Sequence, residues 1–581
     1  MPRASGRAQD APATPNAPSR PPPSREWRQR AAPPPDIAET LDLPPFQARL
    51  LYNRGIRRRE EADAFLAGDS RDSHDPMLLP DMGKAVERLV RAVNSGEVIG
   101  IFGDFDTDGI SGTALLAKAL RELGATVVPY LPDRVNEGHG LNTMAVGVLR
   151  GQGVSLLVTV DCGSSSVDEI ELASALGIET IVTDHHSLPS SLPQAAALVN
   201  SNRLDSRYPY GELTGAGLSF KLVQALWAAL RRPSPDHLLE LAALGTVADV
   251  APLTGENRYV VKRGLERLNN TENPGLRALM ARAGVKRGAV NSESLSFSLI
   301  PRLNAAGRLG HASLSLELLL ADSAEVAEPI AERLEMENVR RRELTREGVD
   351  QAMRQIDPGP DNPPPILIVE SEDWLPGILG LIASNISERY YRPAAAVLVG
   401  EEVSRASMRS IPEFDVVEAL NRSHGLFHHY GGHPRAAGFT LSTSDLPSLK
   451  SDLMLAAEEK LGNRRLRPAI DVDFEVPPRV FDDANLEFMQ SMEPYGEGNR
   501  APVFLTRGFH VARARRVGQQ SNHLKMTVVH EGRAWDAIAF NLGDRPVAAG
   551  GRVDLVYNVG LNHWGGVTTT QLGVLDLRAA G

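Results

Sequence analysis

The stretch VIGIFGDFDTDG, residues 98–109, joins a short apolar run to a row of alternating carboxylates. Val98–Phe102 reads as a buried strand, and Thr113–Leu123 beyond it reads as a helix. The same alternation recurs downstream: Thr126–Leu131, Ser155–Val160, Glu179–Thr183 and Ala196–Val199 are strand-like runs separated by helical segments such as Val167–Leu176. Short apolar runs alternating with helices predict an α/β fold, a mostly parallel sheet with helices on its faces.

Four segments in this region carry chemistry. GDFDTDG (103–109), VDCG (160–163) and TDHH (183–186) each close a predicted strand, and GTVADV (245–250) follows an apolar helical run. In open α/β sheets the strand ends form the ligand-binding edge. Asp104 and Asp106 are expected on one face of the strand end before Gly109 turns the chain into a helix. DFDTDG also opens like a calcium-binding EF-hand loop, but that loop needs a bidentate Glu at its twelfth position, where this chain has Leu115, and a helix before it instead of a strand. Asp104, Asp106, Asp161, the Asp184-His185-His186 run and Asp249 together provide enough oxygen and nitrogen donors for two divalent cations sharing a carboxylate. Such mixed donors suit Mn2+, and Mg2+ accepts the carboxylates.

Working outward, residues 1–36 contain ten prolines and almost no large apolar residues, so they predict a disordered tail. The first α/β unit, with a helical lead-in, is expected over 37–324. The charged stretch 325–357 predicts a long connecting helix that ends at Pro358–Pro365. A second, smaller α/β unit is expected over 358–464, with strands at Ile366–Val369 and Ala394–Val399, helices at Ile378–Tyr390 and Leu446–Leu461, and a Gly-rich turn between them. Residues 465–581 alternate with period two, at Ile470–Val476, His523–Val529, Trp535–Phe540 and Val553–Val559, and predict a small all-β barrel.

The bulk numbers set limits. A chain of 581 residues is too long for one core. Its single cysteine, Cys162, excludes an intrachain disulfide framework and a cysteine-rich zinc site and fits a cytoplasmic protein. No apolar run is long enough to span a bilayer. The formal net charge of -11 argues against coating nucleic acid through bulk positive charge, so any such site is a local groove.

The ordered set of four segments resembles the motifs of the DHH phosphoesterase superfamily, whose name-giving run is Asp184-His185-His186. The resemblance implies that Asp104 and Asp161 hold one metal while Asp106, Asp161, His185 and Asp249 hold the other, with His186 beside the substrate. Pyrophosphatases of the superfamily have a further His four residues before the first Asp; here that position is Gly100, so the first site is expected to be the weaker. PRLNAAGRLG (301–310), SMRS (407–410) and GGHPRAAGF (431–439) resemble the RecJ nucleases within it, as do EPYGEGN (493–499), HLK (523–525), LNHWGG and QLGVLDL in the barrel region. LPDR (131–134) with EGHG is also similar, with His139 where those proteins commonly have Tyr.

This likeness runs from about Leu41 to the end. It implies an oligonucleotide-binding barrel and metal-dependent 5′ to 3′ digestion of single-stranded DNA to 5′-mononucleotides in recombination and repair. Arg134, Arg302, Asn304, Arg308, Ser407, Arg409, Gly431, Gly432 and His433 would contact the substrate. Arginine forks and close-approaching backbone amides suit phosphate oxygens. A helicase and a single-strand-binding protein are implied as partners, and a monomer is expected. Two alternatives rank lower. A DHH phosphodiesterase acting on short oligonucleotides usually lacks the barrel, and a non-catalytic single-stranded-DNA-binding scaffold related to RecJ would have lost some of the five ligands, all of which are present.

Overall fold

The computed structural model describes residues 25–580 apart from 135–136, 311, 357–362, 463, 519–520 and 565–566. After a first strand outside this sheet, β1 (Glu26–Gln29), the strands β2 (Val98–Gly103), β3 (Thr126–Tyr130), β4 (Val154–Val160), β5 (Glu179–Thr183) and β6 (Ala197–Val199) form one sheet. All its pairings are parallel, in the order β3-β2-β4-β5-β6. A strand covered on both faces is apolar throughout, and VSLLVTV of β4 is buried along nearly its whole length. One face packs against helices Met82–Ser95, Thr107–Glu122 and Gly215–Ala229 through Leu89, Leu116 and Phe220. The other is covered by Thr143–Gly151 and Val167–Ala175 through Val146 and Ile170, around Phe102.

The chain leaves β2 for β3 on one flank and returns as β4 on the other. At such a reversal the two crossovers diverge and open a crevice beyond the strand ends. Residues 104–106 and 161 follow β2 and β4 directly.

Helix Ala324–Ile356 has 33 residues, a rod of about 50 Å. Ala327, Ala331 and Leu334 pack in the core of the first unit, and Ala352 in that of the second. A Cβ at Gly348 would come within 2.5 Å of the Ile382 side chain, so glycine lets helix Leu379–Tyr390 approach. In the second unit β7 (Leu367–Ser371), β8 (Ala394–Leu398), β9 (Val403–Arg409), β10 (Phe427–His433) and β11 (Ala436–Ser442) form a mixed sheet ordered β10-β11-β9-β8-β7. The expected Gly-rich turn is therefore strand: Gly431 and Gly432 lie in β10, paired with Gly438 and Ala437 of β11.

The C-terminal region holds β12 (Ala469–Val472), β13 (Phe474–Glu475), β14 (Phe504–Val517), β15 (His523–His530), β16 (Arg533–Ala539), β17 (Arg552–Trp564) and β18 (Val567–Ala579). β14 pairs with both β15 and β17, which closes the ring β14-β15-β16-β18-β17. The α/β architecture, long helix and terminal barrel match the expected fold class.

Two expectations about the N-terminal region are corrected. Of the predicted disordered tail, residues 1–24 lie outside the described residues, but Glu26–Gln29 is a strand, paired in parallel with β12. The Trp27 indole donates to Asp576 at 2.9 Å, and the Arg578 guanidinium sits 3.9 Å from the Trp27 ring centre. These partners lie some 550 residues away, where no local pattern reveals them. The lead-in helices Ile37–Leu41, Pro45–Tyr52 and Arg59–Ala67, expected with the first α/β unit, bury Leu41, Leu50 and Leu51 in one core with Phe474, Phe481 and Phe504 of the barrel region. Periodicity reveals an apolar face but not the surface that covers it.

Candidate metal centre

Each strand-end carboxylate is fixed through its own backbone. Asp104 N–H donates to Val160 C=O (3.3 Å), Asp161 N–H to Thr183 C=O (3.0 Å) and Asp184 N–H to Val199 C=O (3.1 Å). The sheet ladder thus extends one residue past its strands and aligns three aspartates along one edge. Asp161 holds a left-handed conformation, φ 63°, unusual outside glycine. A Cβ on Gly215 would come within 2.4 Å of the Asp161 Cβ, so glycine there admits helix Gly215–Ala229.

Asp106 is the N-cap of helix Thr107–Glu122, accepting from the Asp108 and Gly109 amides. The turn expected at Gly109 is instead helix; a Cβ there would strike the Asp104 backbone at 2.5 Å. Asp108, which sequence reasoning left out, is buried and accepts from Gly215 N–H (2.7 Å) and Ala216 N–H (3.0 Å). It ties one helix N-terminus to another.

Potential ligand atoms of Asp104, Asp106 and Asp161 all lie within 4.8 Å of one another, as do those of Asp161, His185 and His186, and those of Asp108, His185 and Asp249. The three groups overlap at Asp161 and His185, so the five expected ligands line one crevice, with the exposed Asp249 grouped with His185 and Asp108. His185 Nε2 is 3.0 Å from Asp161 Oδ1, yet that oxygen has no hydrogen-bond partner, and neither has Asp104 Oδ1, although both are buried. Buried, unpartnered acceptors are costly. Oxygen and imidazole lone pairs converging on one point fit a divalent cation such as Mn2+ or Mg2+.

The electrostatics agree. Burial, then the neighbouring carboxylates, pushes Asp161 well above the usual carboxylate range. Burial raises Asp104 to about 6, against the pull of His139. Desolvation in the crevice and the Asp106 charge bring Asp249 to about 7. Burial and His186 lower His185 to about 4, which keeps its imidazole a neutral donor. A bound cation would relieve the repulsion these shifts record.

Asp184 plays a different part from its neighbours. Its carboxylate accepts from Ser164 N–H, His186 N–H and His186 Nδ1, the last at 2.8 Å. Burial opposes ionisation, but these bonds prevail and hold Asp184 below the usual range. The same hydrogen bond raises His186 to about 9. Asn200 and Asn202 donate to the carbonyls of His186 and His185, at 3.0 and 2.6 Å, and fix both residues.

Gly100 is closed to any ligand, because a Cβ there would meet the Val154 side chain at 2.9 Å. His139 reaches the first site from elsewhere, its Nε2 3.5 Å from Asp104 Oδ2 and its ring between those of Phe105 and His186.

Of the expected substrate contacts, Arg134 lies over the Phe105 ring at 3.9 Å with an unpartnered Nε. Arg308 is lowered to about 9 by burial and by Arg134, Arg341 and Arg409 around it, and it donates to Gly377 C=O at 3.1 Å. Arg409 donates to Ser407 Oγ at 3.0 Å, and these two residues share a face of β9 opposite buried Ala406 and Met408. A cationic surface from both α/β units thus adjoins the carboxylates. Gly431, Gly432 and His433 are exposed on β10, and His433 bears electrostatically on His185.

Two residues stand apart from this set. Arg302 pairs with Glu335 of the long helix and donates to Ser298 C=O, which fixes the helix and engages its fork. Asn304 Oδ1 accepts from both Thr107 N–H and Thr107 Oγ1 at 3.0 Å, holding the loop that carries Asp106. Both were expected to bind substrate; the structure gives them anchoring bonds within the protein.

The models of three protein families match the chain: the DHH family N-terminal domain over residues 98–246, the DHHA1 domain over 364–459 and the RecJ OB domain over 472–576. The single-stranded-DNA-specific exonuclease RecJ of Bacillus subtilis (strain 168) is 35% identical over 545 residues, spanning 93% of this chain and 69% of that protein. The chain belongs to the RecJ family. RecJ of Dickeya dadantii (strain 3937) is likewise 35% identical, over 91% of this chain and 95% of its own. The crystal structure of RecJ from Thermus thermophilus in complex with Mn2+ superposes with a TM-score of 0.81 at 31% identity, covering 96% of this chain and 80% of that one. Its complex with Mg2+ gives 0.75 at 30% identity, covering 96% and 79%. Both metals expected from the donor set are thus bound by this Thermus thermophilus relative.

Proposed function

We propose that this chain is a 5′ to 3′ exonuclease that hydrolyses single-stranded DNA to 5′-mononucleotides with two divalent cations. The observation that carries this reading is the convergence of Asp104, Asp106, Asp161, His185 and Asp249 in one crevice beside the cationic Arg134, Arg308 and Arg409. Asp104 with Asp161 would hold one cation and Asp106, Asp161, His185 and Asp249 the other. Once bound, the cations supply Lewis-acid charge for phosphodiester hydrolysis.

The protein's own groups do the rest. His186 gives its Nδ1–H to Asp184 at 2.8 Å, so in its protonated form Nε2–H is the donor that would meet a phosphate oxygen at the centre. Arg134 and Arg409, with Ser407, which accepts from Arg409, would seat a terminal 5′ phosphate by charge-assisted hydrogen bonds, which sets the polarity. Gly431 has nothing within 4 Å of a Cβ position, so a strand could lie close to the β10 backbone. A groove between two folded units admits a single strand but not a duplex, and the barrel would hold the trailing nucleotides. On this reading the enzyme works in the cytoplasm in DNA recombination and repair, beside a helicase and a single-strand-binding protein.

The test is digestion of end-labelled single strands with Mn2+ or Mg2+ by wild type, Asp161→Ala and His185→Ala. Both substitutions should reduce the rate at least about 100-fold. Activity surviving both would remove the metal assignment, and a ladder shrinking from the 3′ end would reject the polarity.

A further inference from the structure

Asp249, unlike Asp104 and Asp161, is not held by the sheet ladder. It closes helix Leu239–Ala248, and the next residue, Val250, is 67% exposed with φ 58°. A β-branched side chain is strained in the left-handed region and stays there only where its surroundings dictate the backbone. Those surroundings come from the far end of the chain. Leu253 N–H donates to the carbonyl of Glu497 at 2.7 Å, and Gly498, itself at φ 72°, brings its Cα against Pro252, where a Cβ would stand 3.2 Å from both Pro252 Cβ and Thr254 Cγ2.

The loop that makes these contacts is itself fixed. Asn499 bridges Met492 C=O and Pro494 C=O within it. Arg258, from the first unit and 1% exposed, donates to the carbonyls of Ser491, Met492, Glu493 and Pro494. A buried guanidinium among neutral carbonyls satisfies its hydrogen bonds without a countercharge, which serves geometry more than stability.

From this arrangement we infer that the 493–499 loop, which leads into the barrel, is a positioning element for the metal centre: it clamps the chain at Leu253 and thereby holds Val250 in its strained conformation and Asp249 at the crevice. The inference rests on the metal reading above and deepens it. The barrel region is then a working part of the catalytic centre as well as a surface for DNA.

The experiment measures Mn2+ affinity, by calorimetry and electron paramagnetic resonance, and the kcat and KM for single-stranded DNA. It uses the full chain as wild type, Gly498→Ala, Val250→Gly and the double variant. Gly498→Ala is expected to weaken the tighter Mn2+ site at least about tenfold and to lower kcat with KM little changed. Adding Val250→Gly, which makes the left-handed backbone free of strain, should restore part of the affinity. Folding is checked by circular dichroism. If Gly498→Ala proves unfolded, Gly496→Ala, whose Cβ meets the Leu253 side chain and no backbone, takes its place with a smaller loss expected. Wild-type affinity and kcat in a folded Gly498→Ala protein would overturn the clamp, as would a loss that Val250→Gly leaves untouched. Failure of the wild type to bind Mn2+ would instead overturn the metal reading.

Discussion

At the scale of single residues, the Asp184–His186 pair shows how one hydrogen bond sets a charge. Asp184→Asn keeps the shape and removes the countercharge, so the His186 pKa should fall from about 9 toward the ordinary value near 6.5, as NMR titration of the ring would read. Activity at neutral pH should drop by about 10–100-fold, the usual cost of losing such a supporting partner. The sign follows from the raised pKa: the pair stabilises the fold fully below about 6.5 and loses that contribution as pH rises through about 9. The carboxylates and imidazoles themselves were legible, because strand-end Asp and His from four segments form a matched donor set. What Asp108, Arg302 and Asn304 do was not. A buried Asp accepting two helix amides and a surface Asp look alike in sequence, and an Arg offers no sign of whether its fork meets a phosphate or Glu335.

At the scale of elements, the parallel sheet was readable since each of its strands is a short, mainly apolar run, and Glu179–Thr183 has the expected limits. β10 was not readable: FHHYGGH is exposed along nearly all its length and carries no alternation. The base of the first sheet is pinned by Arg88 of helix Met82–Ser95, which reaches Glu97 before β2 and Glu179 at the start of β5, both at 2.7 Å. The Arg88 hydrogen bonds, against some desolvation, lower Glu97 to about 2. A depressed carboxylate stabilises above its unfolded pKa and loses that as pH falls through the folded one. The Glu97 contribution, on the order of 2 kcal/mol once solvent screening of this partly exposed side chain is allowed for, should therefore fade between about pH 4.5 and 2. Urea melts of wild type and Glu97→Gln should differ by that amount at pH 7 and converge near pH 2; a constant difference would contradict the assignment.

At the scale of the molecule, the carboxylate cluster opposes folding until a cation offsets it. Adding Mn2+ should raise the melting temperature, by about 2.7 kcal/mol of stabilisation at a hundred times the dissociation constant. Asp161→Ala should abolish the metal-dependent part, as differential scanning fluorimetry would record. The overall order of units was legible from shifts in periodicity. Which unit covers the lead-in helices was not, because Leu41, Leu50 and Leu51 could serve any apolar partner.

That last pairing has a consequence for synthesis. Leu41, Leu50 and Leu51 emerge from the ribosome early, while strands that complete their core, including β17 and β18, come last. At about 5–20 residues per second the gap is roughly half a minute to two minutes, during which an oily helical surface waits without its cover. A nascent or prematurely ended chain is in that interval the form most exposed to aggregation and to capture by chaperones.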